Sequence, residues 1–472
     1  MRLKQGLLRG VSVIAVSSVM AAMILTGCSV GGAPASSSVA SSAASSEASS
    51  SSASGGASSS PASSNSSSSS SSASSKPEKP YETLWVTGSD GIRELTSYKV
   101  NGAPPVGDLV LPNEGVYKIG DSCFEGNENI TSVIIPDGVV AIGSSAFSNC
   151  KNLKSVQLPN TLKKIGGSAF QKTGLTSIVI PDSVTELGDC TFYCCGNLES
   201  VKLSKSLKSI GYATFRETNL SSIDIPEGVA EIGNYAFCRA SLTNVKLPST
   251  LKLIGEGAFG SCKRIGQIDL PENLEEIGPA AFFDCEHLSK VNFPNKIKKI
   301  GGNAFSGTAL QEITIPESVL EVGMGAFSNS TINSAKINGN PKMGKYIFSS
   351  CYKLTNIDLG DNLTEISEGM FRSCWAIESI KIPNGSTKID YEAFKNCGKL
   401  KSVYFPAKLK NIDMDAFKGC SKLTDIYYGG NEIAWNSIQI NSSGNENLLE
   451  TKESGNIHYN STSASMSLLS LF

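Results

Sequence analysis

Apolar positions recur in one fixed order along most of this chain. Leu242 to Cys262, LTNVKLPSTLKLIGEGAFGSC, carries one full copy. It opens as Leu-x-x-Ile/Val-x-Ile/Leu-Pro, and alternation over its last positions predicts a short strand with one buried face. Proline ends the strand because it has no N–H for the ladder. Next come an apolar residue, Ile-Gly and Ala-Phe. The glycine marks either a turn with positive φ or a close approach of backbone. The phenylalanine is the clearest marker: Phe124, Phe147, Phe170, Phe192, Phe215, Phe237, Phe259, Phe282, Phe305, Phe327, Phe348, Phe371, Phe394 and Phe417. Successive markers stand 22 or 23 residues apart, with a single gap of 21 from Phe327 to Phe348.

A unit of that length cannot bury its own apolar face, so the units must stack as a solenoid. One parallel strand per unit, about 4.8 Å from the next, gives a curved sheet roughly 70 Å long over about fifteen coils. The marker rings, among them Phe147, Phe170, Phe215, Phe259, Phe282, Phe305, Phe394 and Phe417, should pile into one buried column. The landmarks Leu, Ile-Gly, Ala-Phe and Cys, repeated from about 109 to 428, resemble the BspA-like class of bacterial leucine-rich repeats. That resemblance implies a β-rich, α/β-type leucine-rich repeat arc with one short strand per repeat and a cap at each end. The chain departs from the pattern at Ser204, Asn338 and Gly360, which lack the strand-ending proline, and at Ser367, Asp390 and Asp413, which replace the glycine.

Ahead of the repeats the pattern disappears. Arg2, Lys4 and Arg9 precede an apolar run from Val11 to Leu25, as in an export signal over 1–27. Leu25-Thr26-Gly27-Cys28 resembles the bacterial lipobox, which implies acylation of Cys28 and anchoring to the membrane through that residue. Residues 28–80 are mostly serine and cannot offset their ordering entropy, so a disordered tether is expected there. A lipobox followed by a serine tether is similar to the surface lipoproteins of Gram-positive bacteria. The remaining segments read as an N-terminal cap at 81–107, a solenoid at 108–428, a C-terminal cap at 429–460 and a tail at 461–472.

Thirteen cysteines and a net charge of −2 add constraints. Balanced charge gives no reason to expect nucleic acid as a partner. Cys150, Cys195, Cys262, Cys285, Cys351, Cys374, Cys397 and Cys420 each lie three residues after a marker phenylalanine, where other coils place Asn127, Thr173, Thr218, Ala240, Thr308 or Ser330. Cysteine there is followed by two residues before the next Leu or Ile, whereas Thr, Ala and Ser are followed by one. That coupling accounts for nearly all the variation in spacing. Buried free thiols fit this placement; disulfides between coils are the competing reading for an exported chain. With no C-x-x-C and only His287 and His458, no metal or other cofactor is expected. Gly255, Gly257 and Gly260 spell G-x-G-x-x-G but fall in the repeat corner rather than a strand-to-helix turn. No nucleophile elbow appears, so no catalytic residue is named.

Outward strand positions form two columns. One is short and polar, running from Ser132 to Asp425. The next includes Lys202, Asp224, Lys246, Asp269, Lys336, Asp358 and Lys381, and ends in Tyr404 and Tyr427. The charges read either as a self-compensated sheet surface or as a recognition strip, and the two tyrosines as binding aromatics or as part of a cap. The family resemblance implies adhesion to host surface or matrix proteins or to other bacteria, and the chain is expected to be a monomeric, non-enzymatic binder of a protein or glycan. A passive envelope spacer, or a docking module for a secreted enzyme, is the alternative.

Overall fold

The structure is a computed structural model describing residues 81–462 except Gly455. The export signal, Cys28, the serine tether and the tail from 463 onward lie outside the described residues. From 107 onward the chain winds as a β-solenoid of parallel strands, one coil per repeat. In the Phe259 coil the first strand is Asn244–Lys246, with Val245 inward and its two neighbours exposed. Its partner in the preceding coil is in register, Ile223 opposite Val245 and Asp224 opposite Lys246.

The expectation of one strand per repeat undercounts the fold. Each coil adds a second strand, usually of two residues, just before the glycine position, such as Leu253–Ile254. Its pairings carry Glu231, Leu253 and Glu276 side by side along the axis. Two residues are too few for a period-2 pattern, so alternation cannot reveal this ladder. The glycines that follow it, such as Gly255, Gly278 and Gly301, do not lie in the left-handed region; they are there for close approach. A β-carbon on Gly301 would lie 2.4 Å from the Gly278 carbonyl carbon and the Pro279 nitrogen. Gly301→Ala should therefore cost about 1–3 kcal/mol, while Gly266→Ala, which meets nothing within 4 Å, should be neutral. Urea melts of the two variants side by side test this, and equal midpoints would contradict it. The ladder breaks twice, between Glu186–Leu187 and Ser209–Ile210 and again between Lys342–Met343 and Glu365–Ile366, where Ser367 first replaces the glycine.

Positive φ appears instead two residues before and two after the marker phenylalanine. Ala213 (φ 49) and Glu217 (φ 58) flank Phe215, and Tyr346 (φ 57) and Ser350 (φ 62) flank Phe348. Alternating right- and left-handed residues turn every second N–H along the solenoid axis. Thus Ser145, Phe147 and Asn149 donate to the carbonyls of Gly167, Ala169 and Gln171 in the next coil, at 2.9, 2.8 and 2.8 Å. The convex side is paired coil to coil without strands. Each left-handed non-glycine residue costs about 1–2 kcal/mol, offset here by axial hydrogen bonds that would otherwise be missing in a buried wall.

Inside, the marker rings form an unbroken offset stack. Neighbouring centroids from Phe124 to Phe417 lie 5.0 to 5.7 Å apart, and Phe259 sits 5.3 and 5.4 Å from Phe237 and Phe282. The column is fully buried along its middle. Antiparallel strands β1 (Glu82–Thr87) and β2 (Arg93–Lys99) cover one end, β2 extending the second ladder in parallel and Tyr98 approaching Phe124. At the other end helix α1 (Glu432–Asn436) sets Trp435 against Phe405 and Tyr428, and Gln439–Ile440 and Ile457–His458 prolong the two ladders.

The inner corner explains the two coil lengths. Each of the eight corner thiols reaches back to the marker carbonyl of the preceding coil, as Cys150 does to Phe124 at 3.1 Å and Cys262 to Phe237 at 3.0 Å. The cysteine carbonyl then accepts from the Leu or Ile three residues on, as from Leu153 at 3.0 Å, closing an extra turn. Thr173, Thr218, Thr308 and Ser330 instead donate to their own coil's phenylalanine, at 2.7 to 2.9 Å. All eight are free thiols.

Candidate binding face

The first strands make the face that repeat solenoids turn concave, and alternation sends every second side chain outward from it. Lys202, Asp224, Lys246, Asp269, Lys336 and Asp358 are exposed there, and Lys381 is half-buried. Parallel pairing brings neighbours into register, Asp224 beside Lys246 and Lys336 beside Asp358. Yet among these candidates one pair closes, Lys336 Nζ to Asp358 Oδ2 at 3.4 Å. Lys381 turns away to Asp361 at 3.0 Å. Lys202, Asp224, Lys246 and Asp269 make no ion pair among the described residues. The self-compensated surface is therefore realised at one place, and the middle of the column holds open charges. Ion pairs are formed instead along the second ladder, between Lys164 and Glu186 and between Lys299 and Glu276.

Tyr404 and Tyr427 are a correction. Of the two readings, binding aromatics or part of a cap, burial at 6% and 4% exposure removes the first and leaves the second. Tyr427 lies beside Tyr404 and stacks on His458 with centroids 4.7 Å apart. The Tyr404 hydroxyl points at Gly429, where a β-carbon would lie 3.0 Å away. The closing strand Ile457–His458 takes these rings into the end of the solenoid, and burial raises both phenols above their ordinary value.

Sequence reading also missed part of the face. Counting the same column back from Lys202 reaches Val179, Ile134 and Val110, exposed by 59%, 42% and 60%. Val110 and Ile134 are direct cross-strand neighbours. The alternation that places Lys202 outward was signal enough to find them. A further feature needed coordinates. Where Asn338 and Gly360 stand in place of proline and the coil is shortest, a recess of about 560 Å³ opens at the strand ends, lined by Asn295, Glu317, Lys336, Asn338, Asp358 and Asn362 among others. Its lining is polar and holds no histidine or cysteine.

Nothing in this geometry assembles a metal site: no group of three or more His, Cys, Asp or Glu able to hold one is found among the described residues. His287 is held by the Lys263 carbonyl at 2.6 Å. No helix of the described residues is long and apolar enough to cross a membrane.

The repeat itself identifies the family. A BspA type leucine rich repeat region (6 copies) matches residues 117–240, 230–351 and 326–445. The chain belongs to the BspA-type leucine-rich repeat family. A leucine-rich repeat protein from Bacteroides ovatus has the same fold, with 29% identity, TM-score 0.58, and 73% of this chain and 93% of that one covered. A leucine rich cell surface protein from Faecalibacterium prausnitzii is 26% identical over 78% of this chain and 99% of its own, at TM-score 0.44. No curated protein matches the chain. BspA-type repeats are scaffolds whose extended concave surface serves binding, and leucine-rich repeat folds are generally non-enzymatic.

Proposed function

We propose that this BspA-type repeat protein is a cell-surface adhesin, held to the membrane by a lipid on Cys28, whose concave face grips an extracellular protein. The observation that carries the reading is the outward column: open charges at Lys202, Asp224, Lys246 and Asp269 continue into exposed Val179, Ile134 and Val110. Exposed apolar side chains next to unpaired charges are what a protein partner covers and matches. A surface built for passive spacing gains nothing from either. The rigid stack below keeps the column pre-organised, so little ordering cost opposes binding.

The test immobilises the purified full chain and titrates extracellular matrix proteins and mucin across it. Saturable binding is expected, weakened about tenfold by Lys246→Glu and again by Val179→Lys. These positions are exposed, so both variants should keep the wild-type melt. Absence of saturable binding to every probe would leave the passive spacer as the better account. In cells, Cys28→Ala should move the protein from the membrane fraction into the medium; retention would sink the anchor.

A further inference from the structure

A second surface lies on the rim of turns that lead into the first strands, away from the concave column. The residue after the corner cysteine is charged or small in most coils: Lys151, Gly196, Lys263, Glu286, Gly398 and Ser421. Two consecutive coils place aromatics there, Tyr352 at 47% exposure and Trp375 at 59%. The coils carrying them are about one ring-stack apart, since the Phe348 and Phe371 centroids lie 5.7 Å from each other. Neither exposed ring contacts another ring among the described residues. The other two tryptophans are packed, Trp435 at 1% exposure and Trp85 edge-on to Tyr117. A large flat ring left in water at a position that other coils fill with small or charged residues has no packing role.

Lysines surround this pair. Lys353 follows Tyr352, and Lys399 and Lys422 hold the equivalent place two and three coils on; all are exposed and none joins an ion pair among the described residues. Lys401 pairs with Glu378 at 2.8 Å, three residues past Trp375. The Glu378 carboxyl is held below its ordinary range by that bond and the Lys401 charge, with Lys399 and Lys422 adding to it. Three lysines thus act on one carboxylate, and with Lys353 on the same rim the patch is basic on a chain whose total charge is −2.

We infer that this rim binds an acidic polysaccharide, its sugar rings laid on Trp375 and Tyr352 and its carboxylate or sulfate groups met by Lys353, Lys399 and Lys422. The rings offer flat apolar faces that suit the C–H face of a sugar. The charges are ammonium groups on flexible stems, suited to scattered single anionic groups; no free arginine fork is there to grip phosphate in two places. Tyr352 and Lys353, then Trp375, Lys399 and Lys422, follow one another along four consecutive coils, so the ligand they fit is a polymer lying across coils.

The experiment titrates the full chain with heparin as a sulfated glycan, polygalacturonate as a carboxylated one, dextran as a neutral one and single-stranded oligothymidylate. Tryptophan emission and calorimetry are read at roughly physiological salt. Binding of one or both acidic glycans but not dextran is expected, with an emission change that Trp375→Phe abolishes while keeping most of the affinity. Trp375→Ala and the double variant Lys399→Glu, Lys422→Glu should each weaken binding about tenfold or more. Higher salt should weaken the wild type steeply. An unaltered affinity in Trp375→Ala, no binding of either acidic glycan, or tighter binding of oligothymidylate would overturn the assignment. The exposed variants should retain the wild-type circular dichroism. Loss of the concave-face ligand leaves this result untouched, because the two surfaces share no residue.

Discussion

Phe259→Ala should lower the unfolding free energy by about 3–5 kcal/mol, the range for a buried aromatic truncated to a methyl. The ring is fully buried and in contact above and below, 5.3 Å from Phe237 and 5.4 Å from Phe282. Its removal leaves a gap that neighbours cannot fill, because each is held by its own coil's backbone ladder. The backbone bonds of the site survive: the Phe259 carbonyl still accepts from the Cys285 thiol at 3.2 Å. Since each coil touches only its neighbours, the damage is local, and the melt should split into two transitions as the array loses coupling at the middle. Urea unfolding followed by circular dichroism gives both quantities. Phe259→Leu should cost less than about half as much. A variant Phe259→Ala with the wild-type midpoint and a single transition would mean that the column does not hold the coils together.

Alkali should unfold the protein steeply, through its corner thiols. Burial first, offset in part by hydrogen bonds, pushes Cys150 up to about 12, Cys195 to about 11, Cys351 to about 11 and Cys420 to about 12. Cys262, Cys285, Cys374 and Cys397 are raised as well, from the ordinary 9.0. Below about pH 9 both folded and unfolded chains keep these protons, and the stability from burial is fully present. Above it the unfolded chain ionises while the folded chain cannot, so folding is opposed until the folded thiols themselves titrate. Each such thiol contributes a slope of about −1.4 kcal/mol per pH unit in that window. Eight in one array add together, and Cys123, Cys190 and Cys238 and the phenols of Tyr98 and Tyr404 shift the same way. Urea midpoints under reducing conditions at pH about 7, about 9 and about 10 would show it. Replacing Cys262 and Cys285 by alanine should shrink the slope in proportion. Iodoacetamide should spare all eight in the native protein and label them in denaturant. A flat profile over this window, or ready labelling of the native corner, would show that the thiols are open to water.

Residues that recur are the ones that could be read in advance. A phenylalanine every 22 or 23 places, and a corner residue whose choice tracks the coil length, point to stacked coils before any coordinates. Tyr404 and Tyr427 show the limit of that logic. Their strand positions do place them outward, but Tyr427 is covered by His458, about thirty residues later, and Tyr404 by Tyr427 and the Gly429 turn. Val110, Ile134 and Val179 are a different case: they stand in the same outward column as Lys202, so alternation alone places them in water. Trp375 and Tyr352 break the repeat at an otherwise small or charged place, a signal visible in the chain but without meaning until their exposure was known.

From its sequence alone this protein's period, its ring column, its buried corner and the inward face of its first strands follow, because each depends on contacts between equivalent residues of adjacent copies. What only the tertiary structure decided are the second ladder, the left-handed residues that pair the convex wall, the unpaired charges and the buried tyrosines. Those depend on where separate stretches of backbone come to lie against one another. A two-residue strand, a positive φ at alanine or tyrosine, or an ion pair left open has no local pattern to announce it.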